Sequence, residues 1–329
     1  MEGWTTVGDG DLTASALPEP EPAGDELVVE VIACGVCRTD LHVIDGELAP
    51  HRSPVVPGHQ VVGRIVGLGP RVRRSREGDL VGIAWLRSTC GSCRWCRWGR
   101  ENLCPDATFT GWDADGGYAG LATVPESFAY PLPRDADPAG IAPLLCAGII
   151  GYRALRRANL PPGGRLGIYG FGSSAHLTAR LAMAEGARVS AMTRGEGNRA
   201  LARELGAEFV GGEVAEPPEP LDAAIVFAPA GGLVPAALHA TARGGTVVLA
   251  GIHMTDIPAM TYPEHLFLER DLRSVTANTR ADGDEFLRLA VALDLRPTAT
   301  PYPFARAPEA VGDLRAGRAS GSLVLVRDA

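Results

Sequence analysis

The chain has 329 residues, with 31 basic against 39 acidic side chains and a formal net charge of −8; all 31 basic residues are arginine, and there is no lysine. A lysine-free chain excludes Schiff-base catalysis, a pyridoxal phosphate enzyme, a Walker A phosphate loop and a Tyr-x-x-x-Lys reductase. The acidic balance argues against a nucleic-acid or membrane-surface binder, because such affinity rests on excess positive charge. Residues 1–17 lack a basic region followed by an apolar run, so no signal peptide is expected. No stretch reaches the ~18 apolar residues of a membrane span. The expectation is a cytoplasmic protein of about two domains, whose seven cysteines serve as metal ligands or catalytic groups rather than disulfides.

Short β-branched runs come first, at 27–32, 61–66 and 79–83, punctuated by Gly and Pro. They predict a β-barrel-like domain with long loops. From about Leu144 the pattern becomes strand–helix alternation. Strands are predicted at 165–169, 188–192, 222–227 and 245–250, with helices at 175–185 and 199–205. Such alternation implies a parallel sheet with helices on both faces. The Pro- and Glu-rich stretch Glu213 to Pro220 reads as a surface loop. A helix at 284–293 and a strand at 322–326 close the chain.

The strongest motif is Cys90-Gly-Ser-Cys93-Arg-Trp-Cys96 followed by Cys104. Four thiolates close a tetrahedral shell around one Zn²⁺ and leave no open position, which makes the site structural. An iron–sulfur cluster is also compatible with four thiolates. Cys34, Cys37 and Cys146 remain. Around them the chain reads Gly35-Val-Cys37-Arg38-Thr39-Asp40-Leu41-His42, then Pro57-Gly58-His59-Gln60, then Cys146-Ala-Gly. With the four-cysteine lobe, Asp115-Gly-Gly-Tyr-Ala119 and a later glycine turn, these motifs resemble the zinc-dependent medium-chain alcohol dehydrogenases over essentially the whole chain.

That resemblance implies an α/β architecture of two parts. One is a GroES-like catalytic domain with its structural zinc lobe over 1–147, completed by 280–329. The other is a Rossmann doubly wound parallel-sheet domain over 148–279. It implies a catalytic zinc on Cys37, His59 and Cys146, with the fourth position open for Lewis-acid chemistry. Asp40 is expected to orient the His59 ring. Thr39 takes the alcohol proton and His42 passes it on, because a threonine needs a relay to a group that titrates near neutrality. Arg38 meets the cofactor pyrophosphate. Cys34 has no ligand role and reads as core. His51, His176, His239, His253 and His265 match no motif and read as surface or packing residues. Gln60 departs from the family, which usually has Glu after the ligand histidine. Removing that charge is expected to lower the working pKa at the metal and slow ligand exchange.

Gly170-Phe171-Gly172-Ser173-Ser174-Ala175 follows a predicted strand and opens a predicted helix. Gly170 makes the tight turn, Gly172 admits the pyrophosphate, and Ala175 permits close packing. The second strand ends at Thr193-Arg194, where an NAD enzyme carries an acid. Arg194 suits a 2′-phosphate, so NADP(H) is favoured over NAD(H). Trp85 and Leu86 stand where the family lines its substrate channel, which suggests an apolar alcohol or aldehyde. The expected activity is hydride transfer between a nicotinamide cofactor and such a substrate, by a homodimer or homotetramer. The alternatives are a reductase of C=C or C=N bonds and a non-catalytic zinc-stabilised nucleotide binder.

Overall fold

A computed structural model describes residues 1–48, 51–318 and 321–327. The chain divides into two compact units. Met1–Cys146 with Ala277–Glu285 and Pro297–Ala329 form the first, and Ala147–Thr276 with Phe286–Arg296 form the second.

In the first unit, β1 (Glu2–Thr5) and β2 (Thr13–Ala16) make a small antiparallel ribbon. The long strand β3 (Glu26–Val36) leads into helix α1 (Arg38–Ile44). Strands β4 (Val61–Leu68) and β5 (Leu80–Ile83) follow. After β6 (Leu86–Ser88) come the short helix α2 (Arg94–Arg97) and β7 (Thr108–Phe109), then β8 (Leu121–Pro125) and β9 (Ala129–Pro131). Helix α3 (Pro138–Ile141) and a 3₁₀ turn, Ala142–Leu145, precede Cys146.

The second unit begins with α4 (Ala147–Ala158). It continues as β10 (Arg165–Tyr169), α5 (Ser173–Ala184), β11 (Arg188–Met192), α6 (Glu196–Glu204) and β12 (Phe209–Gly211). Then come β13 (Leu221–Val226), α7 (Leu233–Ala240), β14 (Thr241–Leu249), α8 (Tyr262–His265) and β15 (Asp271–Ser274). Helix α9 (Arg280–Ala292) starts in the first unit and ends in the second. Its residues from Phe286 onward group with the second unit because Phe286 is fully buried against Tyr152 and Gly148. The chain returns to the first unit with β16 (Ala299–Pro303), α10 (Ala307–Arg315) and β17 (Ser322–Val326).

The first unit's main sheet runs β16-β17-β3-β4-β5-β9, with β8 also on β3. Strand β3 outruns its predicted end because both its edges are occupied. Its start pairs with β8, its end with β17, and its other edge with β4. It therefore carries ladder hydrogen bonds through Cys34 and Gly35 and delivers Cys37 at a defined place. Leu27, Val29, Val61, Ile65, Ile83 and Leu325 pack the core behind it. The second unit's sheet runs β12-β11-β10-β13-β14-β15, and all pairs are parallel. Strand order reverses between β10 and β13, and sheets of this kind take their ligands at the carboxyl ends of such a pair. Strands 165–169, 188–192 and 322–326 form over the residues their patterns predict. Among the described residues, no single helix is long and apolar enough to cross a membrane.

Candidate active site

Cys37 is the last extended residue before α1, with φ −137° and ψ 179°. Its N–H donates to Asp40 Oδ2 at 2.8 Å, and the other oxygen of Asp40 lies 3.1 Å from His59 Nδ1. One carboxylate therefore holds the backbone of one donor and the ring of another. A carboxylate only accepts, so Nδ1 carries a proton toward Asp40, and Nε2 faces Cys37. That nitrogen lies 3.4 Å from Cys37 Sγ. Cys146 completes the group, and the three ligand atoms all lie within 4.8 Å of one another. Asp40 and His59 are almost wholly buried, at 2% and 1% exposure.

The loop before His59 is built on a close approach. Gly58 has φ +95°, and a Cβ there would meet Tyr118 Cδ1 at 2.4 Å. Gly116 N, Gly117 N and Tyr118 N donate to Val56 O, Gly58 O and Pro57 O at 2.7, 2.8 and 3.0 Å. The Asp115-Gly-Gly-Tyr motif is thus the floor on which the histidine loop rests. Tyr118 is fully buried there, and Cys34 lies in the same core, as expected of it.

The hydrogen bond shared with Cys146, together with burial, pushes the Cys37 thiol well above its usual range. Burial alone would lower His59, but the charges of Asp40 and Cys37 outweigh it and raise the imidazole to about 10. A divalent cation displaces protons from donors of this kind, which is why such sets bind metals in competition with acid.

Thr39 and His42 are both buried on α1. His42 Nδ1 contacts Glu47 Oε2, a partner for which spacing gave no signal, since Glu47 lies on the turn beyond the helix. Arg38 is exposed on the first turn. Gln60 is buried, its carboxamide packed over Gly35 and its Nε2 without a hydrogen-bond partner.

Cys90, Cys93, Cys96 and Cys104 converge into a second group on an excursion between β6 and β7. The N–H of Cys93 lies 3.3 Å from Cys90 Sγ, and that of Cys90 lies 3.4 Å from Cys104 Sγ. Donation from the backbone of Ser92 and Cys93 lowers the Cys90 thiol to about 6. The root of the lobe is fixed by Glu101. Its carboxylate accepts from Arg280 N at 2.8 Å and Nε at 2.9 Å, and pairs with Nη2 at 2.5 Å.

Trp85 stands edge-on to His59, with ring centroids 5.0 Å apart. It belongs to a small cluster with Val43, Val55, Phe109 and Trp112, separate from the barrel core. Leu86 does not join it. Leu86, the first residue of β6, is buried in the barrel core.

In the second unit, Gly170 has φ +85°, and a Cβ there would lie 2.9 Å from Ala228. Gly172 caps α5 with open space where a Cβ would stand, and Ala175 is fully buried. Phe171 N donates to Thr193 Oγ1 at 3.2 Å, which ties the turn to the end of β11. Ser173 and Ser174 open the helix, and a helix N-terminus attracts phosphate. Arg194 is exposed, and its Nε lies 2.9 Å from Glu213 Oε2. His176 packs inside, where burial lowers it to about 4.

A dinucleotide turn on one sheet, and a three-donor centre with a separate four-thiol lobe on the other unit, define a nucleotide-dependent metalloenzyme of the medium-chain type. Residues 23–134 match the alcohol dehydrogenase GroES-like domain. The chain is 53% identical to the probable alcohol dehydrogenase AdhA of Mycobacterium tuberculosis, over 99% of this chain and 97% of the relative. It is 32% identical to an alcohol dehydrogenase of Geobacillus stearothermophilus, over 95% of each chain. Among solved structures, acetophenone reductase from Geotrichum candidum in complex with NAD superposes with a TM-score of 0.89 at 27% identity, over 99% of this chain and 96% of that one. A cinnamyl alcohol dehydrogenase of Sorghum bicolor gives 0.91 at 26% identity, over 99% and 97%. The chain belongs to the zinc-dependent medium-chain alcohol dehydrogenase family, and it is an NAD(P)-dependent oxidoreductase of small alcohols and their carbonyl products.

Proposed function

We propose that Cys37, His59 and Cys146 hold a catalytic zinc, that Cys90, Cys93, Cys96 and Cys104 hold a structural zinc, and that NADP(H) is the preferred cofactor. The observation that carries this reading is the three-donor group itself, with all ligand atoms within 4.8 Å. Zinc held by these two thiols and the imidazole would supply Lewis-acid chemistry to a substrate oxygen.

The chain's own residues do the rest. Asp40 keeps Nε2 of His59 turned inward. Thr39 accepts the hydroxyl proton during oxidation, and His42 carries it outward with Glu47 on its ring to balance the charge. During carbonyl reduction the same groups return it. Trp85 closes one wall of an apolar channel beside His59. Arg38 and the turn from Gly170 to Ala175 are assigned to the cofactor pyrophosphate, with Thr193 and Arg194 at the adenosine ribose. Arg194 supports NADP(H), because the two residues directly after β11 are Thr193 and Arg194 rather than an acid, and a guanidinium can clasp a 2′-phosphate. Glu213 must then release it.

The carbonyl reading is favoured over C=C reduction because both relay residues are present. A homodimer or homotetramer is expected, and the open outer edge of β15 offers it a surface. Assigning most of the cysteines to metal goes with the cytoplasmic setting expected of the chain. The test is a cofactor-oxidation assay of zinc-replete protein on aldehydes, ketones and enals with NADH and NADPH. Aldehyde or ketone turnover with NADPH preferred is expected. Turnover of enals alone would overturn the reaction, and strong NADH preference would overturn the cofactor assignment.

A further inference from the structure

The Asp115-Gly-Gly-Tyr motif brings more to the open centre than a floor. Its Tyr118 is held by its backbone, with N donating to Pro57 O at 3.0 Å and O accepting from Trp4 N at 2.8 Å. Its ring lies against Gly58, the residue before the ligand histidine. A Cβ on Gly58 would stand 2.4 Å from Tyr118 Cδ1, 2.8 Å from Cε1 and 2.9 Å from Cys34 Sγ. The ring therefore occupies the space that a side chain at 58 would take.

The hydroxyl of this ring is fully buried and completes no hydrogen bond of good geometry. Buried polar atoms are nearly always paired, so an orphan beside a functional group asks for an explanation. The group it faces is Asp40. After burial, the charge of Asp40 acts most strongly on the phenol, and Asp40 is also its side-chain hydrogen-bond partner, within reach but short of alignment. Burial and that charge hold the phenol well above its usual range, so the oxygen keeps its proton and can donate. Asp40 has room to accept. One of its oxygens takes Cys37 N and the other faces His59 Nδ1. A carboxylate has about four lone-pair sites, so two donors leave it half used.

We infer that the Tyr118 hydroxyl is the third donor to Asp40 and, through Asp40, a positioning group for His59 and Cys37 that tightens the hold of the open centre on its metal. The inference rests on the reading of Cys37, His59 and Cys146 as the zinc ligands. Hydrogen bonds of a site are often poorly aligned before its ligand is bound and tighten with it. Partners that orient metal ligands commonly matter about tenfold or more to affinity. A hydroxyl present only for packing predicts something else: its removal relieves an unpaired polar group and leaves the metal alone.

The experiment follows zinc loss from zinc-loaded, full-length protein as a chelator is added. Cys146→Ala, expected to keep the lobe zinc alone, marks the part of the curve that belongs to the open centre. Tyr118→Phe removes only the oxygen. It is expected to weaken the hold on the open-centre zinc about tenfold, with the lobe zinc unmoved. Its metal-free form should melt at the parent's temperature or above it, because the orphan hydroxyl is gone. On an Asp40→Ala background the same change should cost no more than about twofold, because the two residues act as one unit. An unchanged affinity in Tyr118→Phe overturns the inference and leaves the ligand reading intact. A full loss that persists on the Asp40→Ala background overturns the route through Asp40. Weaker zinc binding together with a lowered metal-free melting temperature assigns the effect to packing and overturns it too. Two zinc per chain retained in Cys146→Ala overturns the ligand reading itself.

Discussion

The two cysteine groups of the first unit use the same donor atoms in opposite ways. The lobe draws its four thiols from one short excursion, with Cys90 exposed and Cys93 and Cys96 partly so. The other centre draws Cys37, His59 and Cys146 from three distant segments and buries His59 almost completely. In the lobe, the turn's own N–H groups serve the sulfurs, so local chain geometry suffices. In the open centre the donors are held by Asp40, by the Gly58 loop on its glycine floor and by the 3₁₀ turn before Cys146. A closed shell can be made locally, whereas an accessible metal position needs a scaffold that prevents the chain from filling it.

The largest expected effect separates the two groups. Cys146→Ala should lower kcat/KM at least ~10³-fold and zinc content from two to one per chain, with little change in melting temperature. Metal analysis beside calorimetry checks this; a comparable loss of stability would erase the distinction. Cys104→Ala should also remove one zinc, but its effect falls on stability. The melting transition should drop by several degrees, while freshly prepared protein keeps activity within about threefold of the parent.

Acid offers a smaller test of the lobe's root. Burial would raise Glu101, but its hydrogen bonds and charge pairing with Arg280 hold it below the usual carboxylate range. A depressed carboxyl stabilises the fold above its unfolded pKa, and that stability is lost as pH falls through the lower folded value. Glu101→Gln should therefore cost about 1 kcal/mol at neutral pH, discounted because Arg280 is 40% exposed, and the gap to the parent should close below about pH 4. Parallel melting curves at every pH would remove the pairing from the account. The smallest effect is expected at Gln60→Glu. A carboxylate restored beside the open centre should move the pH–rate midpoint upward by roughly 0.5–1 unit. An unchanged profile would show that Gln60 is an inert packing residue.

Legibility in the sequence followed the range of the forces involved. The cysteine spacing, the glycine turn and the strands at 165–169 and 188–192 are local patterns, and the chain folds them as read. Strands β12 and β15 escaped because each is short and only partly buried, with little pattern of its own. Helix α6 begins earlier than its apolar spacing because Gly195, at φ +76°, starts it at Glu196. Glu47 on His42, Glu213 on Arg194 and Glu101 on Arg280 are pairings that no spacing rule announces. Leu86 packs in the barrel core, while Trp85, in the bend just before β6, lies against His59.

By itself, the sequence determined the donor types, the two-part architecture and a chemistry that needs no lysine, because these depend on residue identity and short-range period. Only the tertiary structure decided that Asp40 spans both Cys37 and His59, and that His51 stacks on Trp112 beside Trp85. Those contacts join residues far apart in the chain, and their geometry exists only once β3, the Gly58 loop and the turn at 109–114 have packed together.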